Sequence, residues 1–363
     1  MNIIKYATLL SATGLLAACA TVRTPMIFES ARTSDGVQDK TLSQEEVAAL
    51  MRDVSSYADM AESVYRRDFN KNPKDRMKHG CDYVSSGSDS ILRLGLPVGW
   101  RRLDRALIDK LGLESGERAG APLIPCRSGK GLDYETYVQL DDLGSPIQAA
   151  ISFRGTENTK YQWADDWIAN FSNVDFGLGD NPQFADARTE GSRLIIGLAR
   201  VLPKVPNSAT CSKIPGRAKD SQAPIDLVGH SLGGGLAQHL AFFSNACDVR
   251  KTVAFDPSPA TGWFYLNRRD LVATADPDIS RIYMDGEALS FVRKVSTKFN
   301  MPRNSRRDYR VVFPGVTGNA FGLHSMTLLA NNIKIAVGQI ADHDEMIVHY
   351  EGDAKAATVA KSN

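Results

Sequence analysis

Residues 225–238 read Ile-Asp-Leu-Val-Gly-His-Ser-Leu-Gly-Gly-Gly-Leu-Ala-Gln and contain one serine, Ser231. The mainly apolar start predicts a short buried strand, and the residues from Leu236 onward predict a helix. Residues 229–233 must then form a tight turn with the pattern Gly-x-Ser-x-Gly, because strand and helix pass too close there for side chains. This is the pattern of a nucleophile elbow, in which the serine stands at the top of a sheet and the N–H of Leu232 points toward a developing oxyanion.

The composition is that of an ordinary globular protein. The chain has 363 residues, of which 43% are hydrophobic and 23% charged. That size and composition favour one elaborated domain over two small ones. The formal net charge of +1 gives no general attraction to nucleic acid, so we expect no nucleic-acid partner. The sequence predicts no oligomeric state.

The N-terminus has the features of an export signal. Lys5 supplies a minimal positive start, and the apolar stretch 7–18 is too short to span a bilayer as a helix. Residues 1–18 are therefore predicted to be a signal peptide. The tetrad Leu-Ala-Ala-Cys at 16–19 resembles a bacterial lipobox, which implies that cleavage leaves Cys19 as a lipid-modified N-terminus. The alternative is a plain secretory signal with an incidental cysteine.

A lipid-modified Cys19 also predicts a location. It implies a protein of the bacterial cell envelope that is anchored to the membrane through this residue. Ala20, in place of an aspartate, resembles lipoproteins that are sent on to the outer membrane. Residues 19–42 carry few apolar side chains and are predicted to be a tether between the anchor and the folded domain.

The remaining four cysteines lie in a chain that is expected outside the reducing cytosol, and their number is even. Cys211 precedes the elbow strand, and Cys247 ends the helix that runs back antiparallel to that strand, so both should lie at the same end of the sheet. We therefore expect one disulfide between Cys211 and Cys247 and a second between Cys81 and Cys126. The alternative is four free buried thiols.

The rest of the folded region alternates between helical and strand-like patterns. Ser43 and Glu46 form a capping box in front of an amphipathic helix that continues to Tyr65, within a helical segment at 43–130. Further elements are predicted as strands at 134–140, 147–153, 252–255, 281–284 and 310–313 and as helices at 184–201 and 321–335. This alternation predicts an α/β-hydrolase fold over 43–350, with a mostly parallel central sheet and helices on both faces, and a tail at 351–363.

A second motif follows the strand at 147–153. The chain reads Phe153, Arg154, Gly155 and Thr156 at that point. Gly155 lets backbone approach closely, and Thr156 offers both an N–H and a hydroxyl. Thr156 is thus a candidate for the second oxyanion donor, beside Leu232.

A serine at an elbow needs a histidine to take its proton, and in this fold the order along the chain is nucleophile, acid, base. Four of the six histidines follow Ser231. His239 lies on the elbow helix and points away, and His343 and His349 lie in a polar region. His324, at a loop-to-helix junction, is the remaining candidate for the base. Its alternative role is that of a capping histidine.

For the carboxylate that orients the histidine, the sequence leaves three candidates. The strand at 281–284 delivers the chain to Asp285 and Glu287, and both reach the expected edge of the sheet. Asp256, one strand earlier, is a third candidate, whose alternative role is to start an Asp-Pro turn.

Three motifs in this order resemble the class 3 lipase family of α/β-hydrolases, including its bacterial phospholipase-like relatives, over roughly residues 43–335. The residues that carry the resemblance are Phe153, Arg154, Gly155 and Thr156 with Asp166, Trp167 and Ile168, then the elbow from Gly229 to Gly234, then His324, Ser325 and Met326. The resemblance implies Ser231 as nucleophile, His324 as base, and Thr156 and Leu232 as oxyanion donors. Its acid motif lies over 281–289 and places the acid on Glu287, where the family usually has aspartate.

Two further segments bear on the substrate. Residues 262–278 place four apolar side chains, Trp263 to Leu266, where such folds insert caps, and an apolar cap suits acyl chains. The alternative is a surface helix that buries its own aromatic residues.

A second segment at 293–310 is basic, with Arg293, Lys294, Lys298, Arg303, Arg306, Arg307 and Arg310 against one acid, Asp308. It predicts either a solvated face or a strip for anionic headgroups.

Together these features predict a serine ester hydrolase that cleaves lipid or phospholipid acyl esters through an acyl-enzyme, with no metal or cofactor. A second hypothesis is a catalytically silent envelope lipoprotein that uses the same scaffold to bind a partner. A third is a thioesterase or peptidase on the same fold. The intact set of serine, histidine and nearby acids favours the enzyme.

Overall fold

The structure, a computed structural model, describes residues 24–33, 36–65, 96–113, 126–127, 132–155, 182–206, 222–244, 248–271, 277–290, 292–293 and 306–338. Its strands are β1 (Met26–Thr33), β2 (Gly36–Thr41), β3 (Trp100–Arg102), β4 (Cys126–Arg127), β5 (Tyr134–Leu140), β6 (Pro146–Phe153), β7 (Ile225–His230), β8 (Lys251–Phe255), β9 (Ile279–Met284) and β10 (Arg306–Val312). Its helices are α1 (Gln44–Ser63), α2 (Arg105–Leu111), α3 (Pro182–Val201), α4 (Leu232–Phe243), α5 (Trp263–Arg268) and α6 (Met326–Ala336).

The strands form one mixed sheet in the order β2-β1-β10-β9-β8-β7-β6-β5-β3, with β4 also paired to β5. The five central strands, β6 to β10, are parallel and follow each other in chain order. The flanking pairs are antiparallel. The predicted parallel sheet is therefore confirmed for the centre, while both flanks of the sheet are antiparallel.

Helices cover both faces of the sheet, as the alternation of strands and helices predicted. On one face α2, α3 and α4 pack in a core that takes Ile225 and Leu227 from β7. On the other face α1 and α6 pack in a core that takes Val228 from the same strand. Successive residues of a strand point to opposite faces, so His230 lies on the face of α1 and α6. The architecture is that of an α/β protein.

Helix α1 begins as its capping box predicts. The Ser43 side chain accepts a hydrogen bond from the Glu46 N–H, and the Glu46 carboxylate accepts one from the Ser43 N–H. These bonds satisfy two backbone N–H groups in this first turn, which have no partner within the helix. The helix packs along α6, and Tyr65 follows directly after its C-terminal end.

The predicted tether at 19–42 is wrong for the part that the structure describes. Strands β1 and β2, at 26–33 and 36–41, pair antiparallel with each other as a hairpin, and β1 pairs antiparallel with β10. Strand β2 lies at the edge of the sheet and is exposed along its whole length. It therefore lacks the alternation of apolar and polar residues from which a strand is predicted. The folded domain therefore begins before Ser43.

Several predicted features lie outside the described residues, namely residues 1–18, Cys19, Cys81, Thr156, Cys211, Cys247, His343, His349 and the tail at 351–363. Cys126, on β4, is disulfide-bonded. The two predicted pairings stay predictions, because the other three cysteines lie outside the described residues.

No helix in the described part of the chain combines the length and apolar character needed to cross a bilayer.

Candidate active site

Ser231 stands at the turn between β7 and α4, in a backbone conformation that residues with a side chain rarely adopt. Its φ is 56° and its ψ is −125°. Its N–H donates to the carbonyl of Phe255 on the neighbouring strand at 3.0 Å, and its carbonyl accepts from the N–H of Ser258 at 2.8 Å. These backbone bonds hold a strained residue in place, which is the local geometry that the Gly-x-Ser-x-Gly pattern predicted.

The glycines around Ser231 permit two close backbone approaches. A Cβ atom added to Gly229 would lie 2.2 Å from the carbonyl oxygen of Gly233. A Cβ added to Gly233 would lie 2.2 Å from the carbonyl oxygen of Phe153, at the end of β6. Any side chain at either position would force the helix away from the strand ends. The glycine requirement predicted from the sequence therefore has a steric cause.

Of the two predicted oxyanion donors, Leu232 and Thr156, only Leu232 lies among the described residues. Leu232 is the first residue of α4, so its N–H has no partner four residues earlier within the helix and lies at the positive end of the helix dipole. Thr156 lies outside the described residues. The preceding Gly155 is described, and a Cβ added to it would lie 2.8 Å from the Cβ of Ser231. The turn after β6 thus adjoins the serine.

His324 and Glu287 form a buried pair beside the elbow. The Nδ1 atom of His324 lies 2.7 Å from Oε2 of Glu287. The His324 ring lies against the ring of His230, the residue before Ser231, with 4.9 Å between ring centroids. His324 comes directly before Ser325, whose side chain caps α6, so the ring lies at the predicted loop-to-helix junction. The helix begins at Met326, five residues later than the predicted start at 321.

Three contacts fix the Glu287 carboxylate, whose side chain is fully buried. Oε2 accepts the N–H of Leu289 at 2.8 Å as well as the bond from His324. Oε1 is ion-paired with Arg293, which is itself buried and donates to the carbonyl of Pro257 at 2.6 Å. A carboxylate buried in this way needs a cation or several donors, and Glu287 has both.

The two alternative acids make other contacts. Asp285 is about half exposed and accepts a hydrogen bond from Arg310 at 3.1 Å. Asp256 is fully buried, and its Oδ1 accepts the N–H of Met284 at 2.9 Å. Its Oδ2 lies 4.0 Å from Nε2 of His230. Of the three candidates, Glu287 is the one hydrogen-bonded to His324.

A hydrogen-bond chain that the sequence did not predict links the parts of the site. The N–H of Gly155 donates to the Tyr65 hydroxyl at 3.0 Å, and that hydroxyl lies 2.5 Å from Nδ1 of His230. Nε2 of His230 lies 3.0 Å from the carbonyl oxygen of His324. Since a carbonyl only accepts, Nε2 carries the proton and the Tyr65 hydroxyl donates to Nδ1. One tyrosine thus joins the turn after β6, the elbow and the His324 backbone.

The histidines of the site are neutral at neutral pH. Burial, together with the Arg293 cation, lowers the pKa of His324 below its usual 6.5, although the Glu287 carboxylate acts in the opposite direction. Burial also lowers the pKa of His230 well below 6.5, helped by the neighbouring His324. Burial raises the pKa of Asp256 to about 7. A neutral His324 is the form that accepts a proton.

His239 and the aromatic segment on α5 both make packing contacts within the fold. His239 is fully buried on α4 and lies 2.7 Å from an Arg188 nitrogen and 2.7 Å from the Thr261 carbonyl, consistent with its pointing away from Ser231. On α5, Leu266 is buried with Phe242 and Ile279. That packing suits a helix seated on the end of α4, and a contact between α5 and an acyl chain stays a prediction.

The basic segment at 293–310 is not a uniform cationic surface in its described part. Arg293 is buried against Glu287, Arg306 is buried beside Asp308, and Arg307 pairs with Asp278. Arg293, Asp308 and Arg310 of this segment help to line a cavity of about 460 Å³ between the β1–β2 hairpin and β9–β10. Neither Ser231 nor His324 is among its described lining residues.

The molecule is thus an α/β protein with a strained serine at a strand-to-helix turn and a buried histidine–carboxylate pair beside it. No protein-family model matches the chain, and no curated protein matches it in sequence. The class 3 lipase family therefore stays an expectation from the motifs.

Two solved structures show a distant likeness. Extracellular lipase LipA from Serratia marcescens is 17% identical with a TM-score of 0.31, and the match covers 68% of this chain and 40% of that chain. Acetyl xylan esterase 1 from Thermoanaerobacterium sp. JW/SL YS485 is 12% identical with a TM-score of 0.23, and the match covers 56% of this chain and 85% of that chain. The chain thus spans two fifths of the length of the lipase. TM-scores of this size assign neither family nor function.

Tyr65→Phe tests whether the hydrogen-bond chain positions the serine. The change leaves the Gly155 N–H and His230 Nδ1 without the hydroxyl, and we expect it to cost about 1–3 kcal/mol of unfolding free energy. We also expect slower labelling of Ser231 by a fluorophosphonate, because the turn after β6 and His230 lose their common anchor.

Tyr57→Phe is the matched control. Tyr57 lies on α1, the helix that Tyr65 follows, and its buried hydroxyl also has two partners, Asp226 at 2.8 Å and Arg250 at 3.0 Å. It should lose similar stability in urea unfolding but keep the wild-type labelling rate. Equal labelling rates in the two variants would show that Tyr65 is purely structural.

Proposed function

We propose that the protein is a serine hydrolase of carboxylic esters, with Ser231 as nucleophile, His324 as general base and Glu287 as the acid that orients the base. The observation that carries the proposal is the hydrogen bond between His324 and buried Glu287, formed against the ring of the residue that precedes Ser231. A strained serine on a strand-to-helix turn and an oriented neutral histidine are the two parts that nucleophilic acyl transfer needs.

The reaction proceeds in two halves. As Oγ of Ser231 attacks the ester carbonyl carbon, His324 takes the serine proton, and the N–H groups of Leu232 and Thr156 stabilise the oxyanion. The intermediate collapses, the alcohol leaves with the proton from His324, and Ser231 carries the acyl group. Water, activated by the same histidine, then releases the acid and regenerates the serine.

Glu287 supports this cycle by its position. Its Oε2 holds Nδ1 of His324, which fixes the tautomer whose Nε2 accepts a proton. Its Oε1 is paired with Arg293, so the carboxylate does not rotate away from the histidine. Asp285, paired with Arg310 in a half-exposed position, is not needed for this role.

The substrate class within ester hydrolysis is proposed from the sequence. A predicted export signal, a predicted lipid anchor at Cys19 and the aromatic segment on α5 support lipid or phospholipid acyl esters at the bacterial envelope. The proposed reaction requires no metal or cofactor.

Labelling with a fluorophosphonate tests the serine assignment directly. The full chain should form a single covalent adduct on Ser231, identified by mass spectrometry of its peptides. Ser231→Ala should form none, and His324→Ala should label much more slowly because the serine keeps its proton. A folded protein without an adduct would instead favour a catalytically silent scaffold.

Two carboxylate variants distinguish the acids. We expect Glu287→Gln to lower kcat on a p-nitrophenyl acyl ester by about 10²–10⁴-fold, because the histidine loses its orienting charge. Asp285→Asn should stay near wild type. Since Glu287→Gln also leaves Arg293 without its buried anion, circular dichroism must show a folded variant, and Glu287→Asp should recover part of the rate. A large loss in Asp285→Asn would contradict the assignment.

The pH profile tests the state of the base. Because burial and Arg293 lower the pKa of His324, the ring stays neutral below its usual 6.5, and the acidic limb of kcat/KM should have its midpoint below pH 6.5. Activity should fall only as pH drops through that lowered value. A midpoint above pH 6.5 would mean that the Glu287 carboxylate outweighs burial.

A further inference from the structure

Three side chains converge at the carboxyl ends of adjacent strands. His230 ends β7, Asp256 follows β8, and His324 precedes α6. One nitrogen or oxygen atom of each lies within 4.8 Å of the others. We call these residues the His-His-Asp cluster. The proposed reaction uses His324 from this cluster and assigns no task to the side chain of Asp256.

Each histidine of the cluster is held through its Nδ1 atom. His324 is held by Glu287 at 2.7 Å, and His230 by the Tyr65 hydroxyl at 2.5 Å. A ligand to the cluster therefore meets the Nε2 atoms of both rings. Histidines that bind metal ions are usually oriented in this way, with the second nitrogen bonded to a carboxylate or another oxygen.

Asp256 supplies a second, independent indication. It is fully buried and has a φ of 37°, which only a minority of residues with side chains adopt. Its Oδ2 has no hydrogen-bond partner among the described residues and lies 4.0 Å from Nε2 of His230. A buried carboxylate oxygen in this state is costly unless something binds it.

We infer that the His-His-Asp cluster binds one divalent transition-metal ion, represented by Zn²⁺, through Nε2 of His230, Nε2 of His324 and Oδ2 of Asp256. Two imidazoles and one carboxylate are a ligand set that zinc prefers, whereas Mg²⁺ and Ca²⁺ prefer oxygen ligands alone. Zn–N bonds of about 2.0–2.1 Å require the three atoms to close to about 3.3 Å from one another.

Binding exchanges one hydrogen bond for a metal–nitrogen bond. Nε2 of His230 now donates to the carbonyl of His324 at 3.0 Å. The ion takes the place of that proton, which moves to Nδ1, where the Tyr65 oxygen accepts it. The bonds that zinc forms with several protein ligands outweigh the single hydrogen bond that is lost.

The ion would act as a reversible inhibitor, a consequence that rests on the proposed function. With Nε2 of His324 on the metal, the histidine no longer takes the proton of Ser231. The binding itself does not depend on that function, because it needs only the geometry of the cluster.

The test is a zinc titration of the chelator-treated full chain against a chromophoric zinc indicator. We expect one site that is lost, or weakened at least about tenfold, in both Asp256→Asn and His230→Gln. Asp285→Asn, a nearby surface carboxylate, is the matched control and should bind as wild type. A millimolar excess of Mg²⁺ should not compete. Unchanged zinc affinity in folded Asp256→Asn and His230→Gln would overturn the inference.

Two further measurements separate this inference from the proposed function. Ser231→Ala should bind zinc as wild type even though it forms no phosphonate adduct, and loss of its zinc site would contradict the assigned ligands. Co²⁺, with water as its fourth ligand, should give the intense visible absorption of a four-coordinate site in wild type and not in Asp256→Asn. Should Asp256→Asn fail to fold, His324→Gln replaces it, and retention of the site in that variant would overturn the inference.

Discussion

The close approach of α4 to the ends of β6 and β7 is the constraint on which the site depends. Gly233 lies so near the Phe153 carbonyl that an added Cβ would come within 2.2 Å of it. Ser231, directly before this helix start, has a strained backbone conformation, and the bonds to Phe255 and Ser258 hold it there. The same approach brings the turn at Gly155 against the serine. The strain is stored locally and is balanced by the packing of the sheet and both helix layers.

Buried polar groups then connect this turn to the rest of the fold. On the face of α1 and α6, Tyr65, His230, His324, Glu287 and Arg293 contact one another in sequence. Each of these groups is costly to bury alone, so each position depends on its neighbours. This dependence explains how residues from four separate segments reach one place, and why the histidine stays neutral beside a carboxylate. Asp256 lies in the same region, and its Oδ2 has no hydrogen-bond partner among the described residues.

Short-range patterns were the predictable part. The elbow, the capping box at Ser43 and the limits of β6, β7 and β8 follow from spacing within about ten residues, and the structure has them close to where they were expected. Strand β10 was expected to begin at 310 and begins at Arg306. The prediction of a tether was wrong because β2 is exposed to solvent on both faces and is held in the sheet by its pairing with β1. The acid stayed open between Asp285 and Glu287 because both follow the same strand, and only packing turns one inward to His324 and the other outward to Arg310.

The sequence by itself determined that a serine sits between glycines at a strand-to-helix turn, and that a histidine far along the chain is available to it. Glycine spacing encodes such a turn locally, because a side chain there has no room. The tertiary structure alone decided which carboxylate holds His324, that Tyr65 contacts His230 from 165 residues away, and that Asp256 points toward both histidines. Those contacts arise where parallel strands end side by side, an arrangement that no short stretch of sequence specifies.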